Sequence, residues 1–205
     1  ASGAIQVDPR LLGAMTVSTL RGESGYQRKE VDKLVHWLAG APRPDVVNLP
    51  NSMLIALAAP IRRALQRPIV VTLQGDDLFL DGLPDPYKTQ ALDLIRQQIA
   101  EVDLFVSVSE YYTNYMASYL GIPRDKLRTV PLGIKVADFA TPAPLARAPF
   151  TIGYFARIAP EKGLHNLAEA YPLLRQERGL PPSRLPVAGS MGPNREPTSQ
   201  PLRGA

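Results

Sequence analysis

A strand-like run, Thr151-Ile152-Gly153-Tyr154-Phe155, leads into Ala156-Arg157-Ile158-Ala159-Pro160-Glu161-Lys162-Gly163-Leu164. This order sets an arginine at the carboxyl end of a strand and a Lys-Gly pair where the next helix opens. In open α/β sheets ligands bind at the carboxyl ends of the strands. A helix N-terminus adds free backbone N–H groups and the positive end of a dipole, which suits an anion. Arg157 can grip a phosphate bidentately, Lys162 adds a point charge, and Gly163 lets the backbone come close. The segment reads either as a diphosphate clamp or as two ordinary solvated cations. Asp76-Asp77 forms a second constellation, directly after the run Ile69–Leu73. Adjacent carboxylates at a strand end can hold Mg²⁺ through hard oxygens, accept hydrogen bonds from sugar hydroxyls, or form a solvated turn.

The elements that must position these groups are legible as alternating strands and helices. Asp45–Leu49, Ile69–Leu73, Leu104–Val108 and Leu127–Val130 are short apolar runs bounded by turn residues, the profile of buried strands. Asn51-Ser52 are placed to cap a helix from Met53 to Leu65 that Pro60 should kink or break. Gly75, Gly82, Pro84 and Pro86 indicate a loop, followed by a helix from about Tyr87 to Val102 with one apolar face. Ser109 caps a helix that stops at Gly121. In that helix Tyr111, Tyr112, Tyr115 and Tyr119 recur at three- and four-residue spacing, which predicts packing against the sheet. Near-continuous apolar strands separated by helices predict a parallel sheet covered on both faces.

Residues 138–149 hold Pro142, Pro144 and Pro149 and read as a linker between domains. The strand-helix pattern then restarts at Phe150 and runs out near Ala188. Two strands and one helix bury too little surface to stand alone. Residues 1–27 offer no convincing first strand-helix unit. The chain therefore reads as a piece of a larger two-domain protein: a partial domain over 1–137, the linker, and the start of a second over 150–205.

Composition excludes several classes. Of the 205 residues 45% are hydrophobic and 20% charged, a balance that supports a packed core. No cysteine is present, so a disulfide framework, a thiolate zinc site and a cysteine nucleophile are all excluded. That is consistent with a cytoplasmic chain. His36 and His165 are too far apart in sequence to form a local metal motif. The net charge of +4 comes from the two ends, since residues 44–150 carry ten basic against eleven acidic side chains. This lacks the single basic stripe of a nucleic-acid binder. It is compatible with peripheral attraction to anionic head groups at the inner face of a membrane.

The stretch Gly153-Tyr154-Phe155-Ala156-Arg157-Ile158-Ala159-Pro160-Glu161-Lys162-Gly163 resembles the opening of the C-terminal domain of retaining GT-B glycosyltransferases. Upstream, Pro44–Ser52, Pro68–Asp77, Val102–Glu110 and Val130–Ile134 resemble the same family in the same order. The resemblance spans residues 44–190. It implies a Rossmann-like acceptor domain followed by the incomplete start of a Rossmann-like donor domain. It further implies transfer of a sugar from a nucleotide-diphosphate sugar to an acceptor hydroxyl, with retention, and no resident cofactor or metal. Gly153, Arg157, Lys162 and Gly163 would hold the donor diphosphate, Arg157 and Lys162 acting catalytically. Asn51, Gln74, Gly75, Asp76 and Asp77 would line the acceptor or sugar cleft. The partners implied are a nucleotide sugar and an acceptor glycan, lipid or small molecule, with no nucleic acid.

Departures from the family pattern are specific. Gln74-Gly75 stands where many members have His-Gly, and glutamine cannot titrate. Leu132-Gly133 stands where Asn-Gly is common. The family's glycine-rich acceptor loop would precede residue 1, and its two donor-contacting glutamates would follow residue 205. Two rival readings stay open: a non-catalytic Rossmann-like binding remnant, and an Mg²⁺-dependent receiver- or hydrolase-like domain using Asp76 and Asp77.

Overall fold

A computed structural model describes residues 8–138 and 149–190. These divide between Ile134 and Lys135 into two compact units. The linker expected over 138–149 lies outside the described residues except for its two ends.

The first unit opens with α1 (Pro9–Leu20), whose N-cap Asp8 accepts a hydrogen bond from the Arg10 N–H, and α2 (Arg28–Gly40). Strand β1 (Val47–Leu49) follows, then a 3₁₀ turn over Ser52–Leu57 and α3 (Ala58–Leu65). The helix expected over Met53–Leu65, kinked or broken at Pro60, is two elements that meet at Leu57–Ala58. Pro60 lies in the first turn of α3, where its missing N–H costs no internal hydrogen bond. After β2 (Ile69–Leu73), the stretch expected to be a loop contains a short helix, α4 (Asp76–Asp81). Gly75 precedes it at φ 85°, a left-handed conformation that glycine adopts without strain. Next come α5 (Tyr87–Gln98), β3 (Leu104–Ser107), α6 (Glu110–Leu120) and β4 (Leu127–Thr129). Helix α6 has the ends expected of it: Ser109 Oγ accepts from the Tyr112 N–H at 3.2 Å, and Gly121 takes φ 74°.

The four strands form one parallel sheet in the order β1-β2-β3-β4. Each connection steps in the same direction, and right-handed crossovers of that kind place their helices on one face. The burial pattern follows. Leu49, Ile69, Val71, Leu73, Phe105, Ser107 and Leu127 point into the core, with Ile55, Ile61, Leu80, Ile95 and Met116 packed among them. On the alternate positions Asn48 and Arg128 are exposed, while Val70, Thr72, Leu104 and Val106 are only partly covered. The expectation of a sheet covered on both faces is therefore corrected: among the described residues one face is buried and the other half-open. Helices α1 and α2 add to the helical layer, α1 against α5 and α2 against α3, burying Val17, Leu20 and Val31.

Polar ties fix the amino ends of the strands. Asp103 Oδ2 accepts from the Ile69 N–H at 2.7 Å and from Arg62 Nη2 at 2.6 Å. Lys126 Nζ donates to the carbonyls of Ile99, Ala100 and Val102, setting a cation where the chain leaves α5 and its carbonyls lack helical partners.

The second unit contains β5 (Phe150–Thr151), β6 (Tyr154–Phe155), α7 (Leu164–Gln176), β7 (Ser183–Arg184) and β8 (Val187–Ala188). Parallel pairing joins β5 to β7 and β6 to β8. No described residue of 149–190 is buried. Phe150, Phe155, Leu173 and Leu180 are all more than half exposed. Among the described residues no helix is long and apolar enough to cross a membrane.

Two outcomes are expected. Phe105→Ala should cost about 3–5 kcal/mol in urea unfolding, whereas Phe155→Ala should stay within about 0.5 kcal/mol. Burial works to raise the Asp103 carboxyl pKa, but the Ile69 N–H and the Arg62 guanidinium hold it below its ordinary value. A depressed carboxylate contributes stability above its unfolded pKa of about 3.9 and loses it as the pH falls further. Asp103→Asn should therefore flatten the acid limb of a stability-against-pH curve below about pH 4.

Candidate functional site

The carboxyl ends of β1, β2 and β3 bring together three segments that are far apart in sequence: Asn51-Ser52, Gln74–Asp77 and Ser109–Tyr112. A buried carboxylate joins the first two. Asp76 is 2% exposed. Its Oδ2 accepts from the Ser52 N–H at 2.7 Å and its Oδ1 from the Gln74 N–H at 3.2 Å. The expected cap of the segment after β1 therefore comes from Asp76, 24 residues away. Asn51 makes no capping hydrogen bond there, and its Oδ1 is buried with no partner among the described residues. Gln74 is exposed, and its Nε2 donates to the Pro50 carbonyl at 3.2 Å.

A tyrosine joins the second and third segments. The Tyr112 hydroxyl accepts from the N–H groups of Gly75 at 2.9 Å and Asp76 at 3.0 Å, and donates to Asp77 Oδ1 at 2.5 Å. Two otherwise unpaired donors at the start of α4 are thus satisfied by a phenol. Burial pushes the Tyr112 pKa far above the usual tyrosine range, and the Asp77 carboxylate raises it further. Tyr119, two turns along the same face of α6, makes a second tie to α4. Its hydroxyl donates to Asp81 Oδ1 at 2.8 Å, and Asp81 also pairs with Lys88. The tyrosine-rich helix was expected to pack on the sheet through its rings. It also anchors α4 through its hydroxyls, because a partly buried tyrosine needs a partner for its polar tip. Periodicity carries no signal for that role.

Asp76 and Asp77 have separate partners. Asp76 is turned inward onto backbone N–H groups, and Asp77 is half-buried under Tyr112. Among the described residues no group of three or more His, Asp or Glu could hold a metal ion.

In the second unit the backbone N–H groups of Ala156 and Ile158 donate to the carbonyls of Ala188 and Ser190. Arg157 therefore lies just past the carboxyl end of β6. Pro160–Lys162 make one 3₁₀ turn, and Gly163 at φ 70° leads into α7. The Tyr154 hydroxyl donates to the Lys162 carbonyl at 3.3 Å. Arg157 and Lys162 are both exposed, and Arg157 Nη2 pairs with Glu161 Oε1 at 2.8 Å. Gly153 is exposed, with open space where a Cβ would sit. A hollow of about 520 Å³ lies beside Phe150, Leu174, Leu180 and Pro181, and its lining includes neither Arg157 nor Lys162. Its walls combine these apolar side chains with Arg175 and Ser183.

The sequence model of glycosyltransferase family 4 matches residues 17–138, more than half of the chain. This chain belongs to glycosyltransferase family 4. No curated protein matches it. The family match covers the sheet and the laced strand ends of the first unit and stops before Arg157. For this family member, the Asp76 and Tyr112 ties make the carboxyl edge of the sheet a rigid platform and leave Gln74, Leu78 and Tyr111 on its exposed side.

Replacing Tyr112 with Phe removes the acceptor of two N–H groups and should cost about 1–3 kcal/mol in urea unfolding. A tyrosine pKa raised by folding stabilises fully below about pH 10 and loses that contribution as the pH climbs. Tyr112→Phe should therefore also lessen the alkaline loss of stability above that pH.

Proposed function

We propose that this family 4 protein transfers a sugar from a nucleotide-diphosphate sugar to an acceptor hydroxyl, with retention of configuration. The family match over residues 17–138 carries this reading. In it, the first unit is a GT-B acceptor domain. Residues 150–205 begin a donor domain whose core needs more chain than is described, which the lack of any buried residue over 149–190 supports. Arg157 and Lys162 stabilise the leaving diphosphate as its charge grows in the transition state, with Gly153 and Gly163 allowing close approach. The position of Arg157 past β6 and of Gly163 at the start of α7 supports that role. The incoming diphosphate takes over Arg157 from Glu161, an exposed pair worth little on its own.

Gln74 and Asp77 face the acceptor, while Asn51, Gly75 and Asp76 shape the loop that presents them. The exposure of Gln74 and the burial of Asp76 favour this division. No resident metal or cofactor is invoked. The acceptor is a glycan, lipid or small molecule, and the protein works in the cytoplasm, peripherally at the inner face of a membrane when the acceptor is a lipid.

The test is a thermal titration with UDP, GDP and ADP. A nucleotide that binds only the folded chain stabilises it by about 2.7 kcal/mol at a hundredfold excess over Kd. One of the three should raise the midpoint, and Arg157→Ala should abolish the rise. In a full-length enzyme the same substitution should cut turnover by about two to three orders of magnitude. Failure of all three nucleotides would favour a non-catalytic binding remnant.

A further inference from the structure

The first turn of α6 carries an aromatic surface that the preceding reading does not use. Tyr111 is 80% exposed. Its ring lies nearly parallel to that of Tyr115, 7° between planes, with centroids 6.5 Å apart. Tyr115 in turn stacks on Tyr112 at 6.1 Å and on Tyr119 at 5.6 Å. The hydroxyls of Tyr112 and Tyr119 are tied to Asp77 and Asp81. Tyr111 is therefore the outermost ring of a braced stack, and much of the entropy cost of ordering a docking surface has already been met by folding.

Its place in the fold is equally informative. Helix α6 begins at the carboxyl end of β3, on the ligand side of an open parallel sheet. Asp77 stands at the same edge, with Oδ1 engaged by Tyr112 and Oδ2 without a hydrogen-bond partner among the described residues. Asp77 and Asp81 are both close enough to Tyr115 to act on its hydroxyl electrostatically. An exposed aromatic face beside carboxylates fits a ligand with a flat C–H face and several hydroxyl donors. The ring quadrupole, negative over its face, attracts the C–H hydrogens of a pyranose. Carboxylates accept strongly from hydroxyl groups. The same carboxylates, with Glu110 alongside, repel a phosphate backbone or an anionic lipid surface.

We propose that Tyr111 is the stacking platform of a sugar subsite on this edge, with Asp77 as hydroxyl acceptor, and that the occupant is a pyranose ring of the acceptor substrate. The assignment to the acceptor rests on the glycosyl-transfer reading; the sugar subsite itself does not.

The experiment is saturation-transfer NMR on the whole chain with methyl α-glucopyranoside, methyl α-mannopyranoside and methyl β-galactopyranoside. At least one glycoside should receive transfer at its ring C–H protons. Tyr111→Ala should reduce that signal about five-fold or more, the scale of one aromatic contact, and Tyr111→Phe should retain it. Because Tyr111 is exposed, the variants should unfold at the parent midpoint, which circular dichroism checks. Three results overturn the proposal: no transfer to any glycoside, equal transfer in Tyr111→Ala, or vesicles of phosphatidylcholine and phosphatidylglycerol whose binding, instead of a glycoside's, depends on Tyr111. Nucleotide titration of the unsubstituted chain separates the two readings. If no nucleotide binds while the glycoside result holds, the donor reading fails and the sugar subsite stands.

Discussion

Parallel crossovers that all advance the same way along a sheet determine most of this molecule. They stack α3, α5 and α6 on one side, and α1 and α2 can bury Val17, Leu20 and Val31 only by joining that layer. The core lies between that layer and one face of the sheet. The carboxyl ends of the strands are left together at one edge, joined not by strand pairing but by side chains. Asp76 and Tyr112 do that joining. Each turns hydrogen-bonding groups at an otherwise frayed element end into long-range ties.

Much of this was readable from residue types alone. The four strands, the cap at Ser109 and the left-handed stop at Gly121 each depend on neighbours within a few residues, so pattern suffices to find them. What pattern could not supply were ties across distance. Asn51-Ser52 looked like a self-sufficient cap, yet the acceptor for the Ser52 N–H belongs to Asp76. Gly75 and Gly82 signalled a loop, and the six-residue helix between them forms because Tyr112 satisfies its first N–H groups. The half-open face was hidden because Val70, Leu104 and Val106 are apolar, so the strands read as buried on both sides.

The candidate site divides along the same line. Asp76 and Asp77 are adjacent in sequence and were read as a pair, but successive residues at a helix start point in different directions. One carboxylate faces the interior and the other the rim. Spacing locates Arg157 past a strand, Lys162 in a turn and Gly163 at a helix start, because a strand, a turn and a helix in succession fix where each falls. The period of the tyrosines predicts packing, which Tyr112 and Tyr119 show, but not the ties their hydroxyls make. A hydrophobic period reports which face is covered and is blind to the hydroxyl at the end of the ring.

The unequal burial of the two units has a calorimetric consequence. Among the described residues every buried one lies between Gly13 and Leu127. The heat-capacity step on melting scales with apolar area newly wetted. Among the described residues that step comes almost wholly from the first unit, so the melting of the first unit should dominate the heat-capacity change that residues 149–190 share with it.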